Sequence, residues 1–251
     1  MELLSVLEFN LIYNSFSFTF AVMAAATLFF WLNLGSVAPS YRPALVITGL
    51  VTFIAAYHYF QIFTSFDSAF TVTNDTVAAT GKPFNNAYRY VDWLLTVPLL
   101  MVELILVMKL SKAETYKRAW TLGLAAALMI VLGYPGEISA DAGTRWLWWT
   151  LSMIPFVYIV GTLFFGLTKS IEDQPAEAKS LVNKARWIVI LTWSFYPIVF
   201  MFPMLGLTGG TADVAVEVGY SIADILAKAG FGVIIYMIAR RKSEAEGYTL
   251  S

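Results

Sequence analysis

Residues 219–239 read GYSIADILAKAGFGVIIYMIA, the heart of an apolar run from about Val214 to Ile238 that nevertheless carries Asp224 and Lys228. A charge at the centre of a bilayer costs roughly 2.5–3.5 kcal/mol on insertion scales, so such residues face a protein interior and pair with something. Residues four apart share one helix face, which lets Asp224 and Lys228 pair with each other or jointly hold a third charged group. Burial disfavours the ammonium and favours the free amine, the nucleophile that forms a Schiff base with an aldehyde. The plainer alternative is a structural ion pair that fixes helix packing.

Composition sets the class. The 251 residues are 59% hydrophobic and 13% charged, too apolar for an ordinary soluble domain of this length. The absence of cysteine excludes disulfides, thiolate metal sites and a thiol nucleophile, and a single histidine is too few for a histidine-built metal centre, so no metal is expected. A net charge of −1 gives no sign of a nucleic-acid partner. There is no P-loop and no HExxH, so phosphoryl transfer and zinc hydrolysis are not expected. The first apolar stretch lacks a basic leader and a small-residue cleavage site, so it reads as a mature helix.

Seven apolar windows of spanning length follow, at about 8–33, 43–66, 84–108, 117–135, 145–168, 180–204 and 213–239. Breakers such as GSVAPSYRP, TNDTVAATGKP, GYPGEISADAG and KSIEDQPAEAKS separate them, and no linker marks a second domain, so residues 1–251 are expected to form one all-α, seven-transmembrane-helix domain. Residues 70–84 are the longest connection, with a hairpin expected there and TGK as its turn. On the side of the first connection and the C-terminus stand twelve basic residues: Arg42, Lys109, Lys112, Lys117, Arg118, Lys169, Lys179, Lys184, Arg186, Arg240, Arg241 and Lys242. The other side has two, Lys82 and Arg145. Basic loops stay in the cytoplasm, which puts the N-terminus outside and the C-terminus inside.

The third window, YRYVDWLLTVPLLMVELILVM, places Arg89, Asp92, Thr96 and Glu103 at steps of 3, 4 and 7, a polar stripe on one helical face. Asp92 and Glu103 lie about 16 Å apart along the axis. Glu103, with few polar neighbours in sequence, should rest protonated and ready to donate, while Asp92, beside Arg89 and a nearby cation, should be ready to accept. The alternative for Glu103 is a side chain that snorkels to the interface. Trp148, Trp149, Trp193, Tyr196 and Phe200 lie well inside their windows, where several rings together can clamp a flat conjugated ligand.

RYVDWLLTVP, WSFYP and DILAK together make the chain resemble the microbial rhodopsins, and most of all the proteorhodopsin group of light-driven outward proton pumps. The resemblance spans all seven windows and implies a multi-pass protein of the bacterial inner membrane. It implies all-trans retinal held at Lys228 as a Schiff base, with Asp92 as proton acceptor and counterion, Asp224 as second counterion, Arg89 orienting them, Thr96 beside the acceptor and Glu103 as proton donor. His58, in AAYHYF, matches the histidine that hydrogen-bonds the acceptor and tunes its proton affinity, although a lone intramembrane histidine is more often a packing residue. The implied retinal pocket comprises Trp93, Val97, Leu100, Met129, Gly133, Trp149, Ser152, Trp193, Tyr196, Pro197 and Phe200. An apolar Leu100 goes with green absorption. The Asp, Thr, Glu triplet at Asp92, Thr96 and Glu103 matches the proton-pumping subset. Relatives with a carotenoid antenna have glycine where this chain has Trp149, so no carotenoid antenna is expected. Glu217 is a candidate for the release path, the alternative being a surface glutamate near a loop. The resemblance further implies a homo-oligomer, a pentamer or similar ring. A sensory rhodopsin signalling through a transducer is the alternative function.

Overall fold

The computed structural model describes residues 4–74 and 76–248. Its helices are α1 (Val6–Leu32), α2 (Arg42–Ala69), α3 (Ala87–Met108), α4 (Lys112–Glu137), α5 (Ala142–Gly161) with a π-helical continuation over Thr162–Gly166, α6 (Thr168–Glu172), α7 (Ala176–Phe200), α8 (Gly210–Asp224), a π-helical segment Ile225–Gly230, and α9 (Phe231–Ala245). Since α5 and α6 follow one another, and α8 and α9 are joined through the π segment, the set forms a bundle of seven rods.

Local chemistry fixes several rod ends. Ser5 and Glu8 form a reciprocal capping box at the start of α1. Ser111 and Asp141 cap α4 and α5 by accepting from the Glu114 and Thr144 N–H groups. Hydrogen bonds from the Thr144 backbone and side chain hold the Asp141 carboxyl below its ordinary range. The end of α3 is marked by Lys109 in the left-handed region, at φ 55°.

Six rods are long and apolar enough to cross a membrane. The remaining one, α7, has the length but carries Lys179, Lys184 and Arg186 in its first half, and its hydropathy is diluted accordingly. The window at 180–204 is therefore a helix, but one whose charged first half keeps it out of the six. The hairpin at 70–84 is present as strands β1 (Phe70–Thr73) and β2 (Thr76–Ala79). Its reversal lies at 73–76, around Asn74 at φ 49°, while the TGK stretch expected to turn follows β2 with Gly81 at φ 87°. Asn tolerates the left-handed region, so it serves where Gly was expected. Asp75 lies outside the described residues.

Polarity is inverted relative to a soluble protein. Large apolar side chains such as Phe165 (86% exposed) and Leu32 (81%) point outward, whereas Arg89, Asp92, Glu103, Glu217, Asp224 and Lys228 are buried. Such an exterior suits lipid, and the interior confines the charges to places where they meet one another. At the N-terminal end of α1 the core is aromatic, with Phe9, Phe16 and Phe66 packed ring to ring.

Close rod packing places specific demands on glycine. A Cβ on Gly232 would lie 2.5 Å from Thr48 Cγ2 and 2.6 Å from Phe30 Cζ, and Phe30 is fully buried. Gly232→Ala is therefore expected to destabilise the fold by about 1–3 kcal/mol, the scale of core overpacking. Thermal unfolding followed by circular dichroism in detergent checks this, and an unchanged midpoint would show that α2 and α9 can separate without penalty.

Candidate functional site

Lys228 stands in the middle of the bundle and is 1% exposed. Its Nζ donates to Asp92 Oδ2 on α3 and lies 3.1 Å from Asp224 Oδ2, one turn earlier on its own rod. Both carboxylates are equally buried, so the ammonium lies between two anions screened from lipid. The lysine sits in the π-helical segment, a local widening of the helix that recurs at functional sites.

The two carboxylates differ in how they are held. Asp224 accepts from Tyr59 Oη (2.8 Å) on α2, Tyr196 Oη (2.6 Å) on α7 and Trp93 Nε1 (3.2 Å) on α3. Asp92 Oδ1 has no hydrogen-bond partner among the described residues. His58 Nδ1 is 3.8 Å from that oxygen and 2.9 Å from the Ile54 carbonyl, so its hydrogen bond goes to the backbone one turn back. The direct bond expected from His58 to Asp92 is replaced by an approach at ion-pair range. Thr96 likewise serves the backbone, donating to the Asp92 carbonyl at 2.8 Å.

Arg89, expected to orient the carboxylates, makes its ion pair with Glu217 instead. Its guanidinium carbon lies 5.1 Å from the Tyr220 ring centroid and 5.5 Å from that of Phe16. Glu217 is 3% exposed, which removes the reading of a surface glutamate. Glu103 is fully buried, which removes the snorkelling reading, and neither carboxyl oxygen has a hydrogen-bond partner among the described residues.

Beside Lys228 opens a largely apolar cavity. Trp93, Val97 and Leu100 of α3, Met129 and Gly133 of α4, Trp149 and Ser152 of α5, and Trp193, Tyr196, Pro197 and Phe200 of α7 all line it. Ser152 donates to the Met129 carbonyl at 2.8 Å, so its hydroxyl is already engaged. Trp149 donates to the Pro197 carbonyl at 2.9 Å, one of the last four in α7 that intrahelical bonding leaves open. Tyr90, Ile130, Met153, Phe156, Tyr220 and Ala227 also line the cavity and were missed in the sequence. Tyr220 was within reach: Glu217, Tyr220, Asp224 and Lys228 recur at steps of 3, 4 and 4. Tyr59 was masked by its neighbour His58, the more conspicuous residue in AAYHYF.

A family model described as bacteriorhodopsin-like protein matches residues 10–242. The chain belongs to the bacteriorhodopsin-like family. Among microbial rhodopsins, green-light absorbing proteorhodopsin of Gamma-proteobacterium EBAC31A08 is 30% identical over 230 residues, covering 91% of this chain and 86% of that one. Bacteriorhodopsin of Halobacterium salinarum is 30% identical over 230 residues, covering 90% and 83%. The crystal structure of xanthorhodopsin, a light-driven ion pump with dual chromophore, has a TM-score of 0.96 at 51% identity over 99% of this chain and 100% of that chain. The proteorhodopsin likeness carried by the motifs is thus accompanied by a stronger one to xanthorhodopsin.

Proposed function

We propose that this microbial rhodopsin is a light-driven outward proton pump of the bacterial inner membrane, with all-trans retinal attached covalently to Lys228 Nζ. Family membership and the names of its relatives support light-driven ion pumping. The site fits the group, because a largely apolar cavity walled by indole and phenol rings ends at a buried primary amine held between two carboxylates. Bound there, retinal supplies light absorption and a light-triggered change in the orientation and proton affinity of the Lys228 nitrogen.

The observation that carries the proton reading is the inequality of the carboxylates. Three neutral donors occupy Asp224 and stabilise its charge, whereas Asp92 has a bare oxygen on which a proton can settle. Asp92 therefore receives the proton from Lys228 Nζ. Glu103, on the same helix about 16 Å further on, has neither carboxyl oxygen hydrogen-bonded among the described residues to steady an anionic form, and so holds the proton that refills the nitrogen. The acceptor touches Lys228 while the donor lies about 16 Å along α3 toward its C-terminal end, which gives the transfer a direction. With the twelve basic residues of the C-terminal side in the cytoplasm, that direction is outward. Beyond Asp92, the Arg89–Glu217 pair occupies the exit side, and Glu217 is the release-path residue.

Cells expressing the chain, supplied with all-trans retinal in unbuffered medium, are expected to acidify the medium in light and to lose that response with a protonophore. No pH change in pigmented cells would favour the sensory reading, and alkalinisation enhanced by protonophore would mean another ion is pumped. Asp92→Asn should red-shift the pigment and stop acidification; Glu103→Gln should keep the colour but slow recovery after a flash by about a hundredfold, the scale of a lost general acid.

Glu217→Gln is expected to delay proton release measured with a pH dye, and unchanged timing would take Glu217 off the path. By the family resemblance, Trp149, whose indole donates to the Pro197 carbonyl of α7, stands where antenna-binding relatives have glycine, so an excitation spectrum of pigment reconstituted with carotenoid should lack its vibronic bands. Their appearance would mean the wall at Trp149 opens.

A further inference from the structure

Beyond Glu103, the C-terminal end of the bundle is closed by a buried lysine that plays no part in the site around Lys228. Lys242, on α9, is 5% exposed. Its Nζ donates to the Val107 carbonyl (3.1 Å), the Met108 carbonyl (2.9 Å) and Gln174 Oε1 (2.7 Å). Val107 and Met108 are the last two residues of α3, so their carbonyls have no intrahelical donor and form the negative end of the helix dipole. Gln174, just after α6, also donates to the Met108 carbonyl at 3.2 Å, tying a third segment to the same point. The ring of Tyr41 lies under two ammonium groups, Lys109 at 5.1 Å and Lys242 at 5.4 Å, and its hydroxyl donates to Glu246. Lys109 holds the same Glu246 carboxylate at 2.8 Å. Burial pushes that carboxyl up, but the hydrogen bonds from Lys109 and Tyr41 outweigh it and leave it below its ordinary range.

Position gives this clasp its meaning. Asp92 and Lys228 touch, and α3 and α9 run in the same direction, so distances along the two rods share an origin. Glu103 then lies about 16 Å along, and Lys242 about 21 Å, close to one helical turn further. Leu104 and Val107 on α3 and Ile238 on α9 fall at about those two levels, and with Leu45 they belong to one buried apolar cluster, each no more than 2% exposed. Water reaching Glu103 from this end must break the bonds of Lys242, and a proton arriving as hydronium meets two cations at the mouth.

We propose that Lys242 is a positioning residue for proton uptake: by clasping the end of α3 to α9 and Gln174, it keeps Glu103 out of proton exchange with the cytoplasm until the clasp opens. This rests on the proton-pump reading for its purpose, while the exchange it controls can be measured in the dark.

The experiment places the dark-adapted retinal-bound protein, in lipid, into heavy water and follows the isotope shift of the Glu103 carboxyl C=O stretch by infrared spectroscopy. That band is identified by its loss in Glu103→Gln. Wild-type protein should exchange slowly, and Lys242→Met and Gln174→Ala at least about tenfold faster, since each loses charge-assisted hydrogen bonds that opening must otherwise break. Lys242→Arg, which keeps a cation and several donors, should restore slow exchange, a rescue that mere loosening of the fold does not explain. Wild-type exchange times in both Lys242→Met and Gln174→Ala, with the visible band retained, would overturn the proposal. Should Lys242→Met fail to fold, Gln174→Ala decides alone. A wild-type protein that does not acidify the medium in light would refute the pump reading, and the dark exchange would still judge the clasp.

Discussion

An ammonium held between two carboxylates inside hydrocarbon is the constraint to which the rest of the structure answers. Lys228, Asp92 and Asp224 are each tolerated only because the other two are present, and removing one partner from such a group costs about 3–5 kcal/mol. That dependence holds α3 in register against the rod formed by α8, the π segment and α9. It also accounts for the donors on other rods. Tyr59 on α2 and Tyr196 on α7 spend their hydroxyls on Asp224, so four of the seven rods converge on one charge cluster. One ammonium faces two carboxylates, so the cluster also depends on the neutral Tyr59, Tyr196 and Trp93 donors that hold Asp224.

The two halves of the interior are built differently on either side of that cluster. Toward the N-terminal end lie Arg89, Glu217 and Tyr220, a polar path with a cation and a carboxylate in direct contact. Toward the C-terminal end Glu103 is fully buried, with the Thr48 hydroxyl nearby and with both its oxygens without a geometric hydrogen bond among the described residues. A proton therefore meets polar groups on one side and a buried apolar cluster on the other. A carboxyl in the apolar half is stable while neutral and has strong reason to be neutral again soon after losing its proton. That asymmetry, more than any single residue, gives a vectorial reading its physical footing.

Much of this was legible in the amino-acid order. Helical spacing exposed the polar face of α3 through Arg89, Asp92, Thr96 and Glu103, and two charges in the last apolar run marked the centre of the site. All eleven pocket residues inferred from the family resemblance line one cavity. What spacing cannot convey is which of two acceptors a side chain chooses. His58 and Thr96 both bond to backbone carbonyls one turn back on their own helices, a choice settled by local rotamers. Arg89 could be placed on the right face, but its partner Glu217 is 128 residues away on another rod. Neither π segment has a composition that distinguishes it from the helix around it, and the reversal at Asn74 was hidden by the stronger turn signal of Gly81.

The last piece of logic concerns the spacing of the polar contacts between α3 and its partner rod. Arg89, Asp92 and the Val107 carbonyl on α3 meet Glu217, Lys228 and Lys242 on the other rod, three anchors in the same order along two parallel helices. The first two anchors on α3 are one turn apart. The third lies 15 residues beyond the second, about 22 Å along the axis. Two helices pinned at both ends of so long an interval cannot slide to admit water without giving up an ion pair or a buried lysine. Glu103 lies within this interval, four residues short of the third anchor. Its isolation is thus imposed from both ends, by the cluster at Lys228 and by the clasp at Lys242. A carboxyl in contact with a cation is an ion-pair partner, whereas Glu103, with neither oxygen hydrogen-bonded among the described residues, is suited to store a proton.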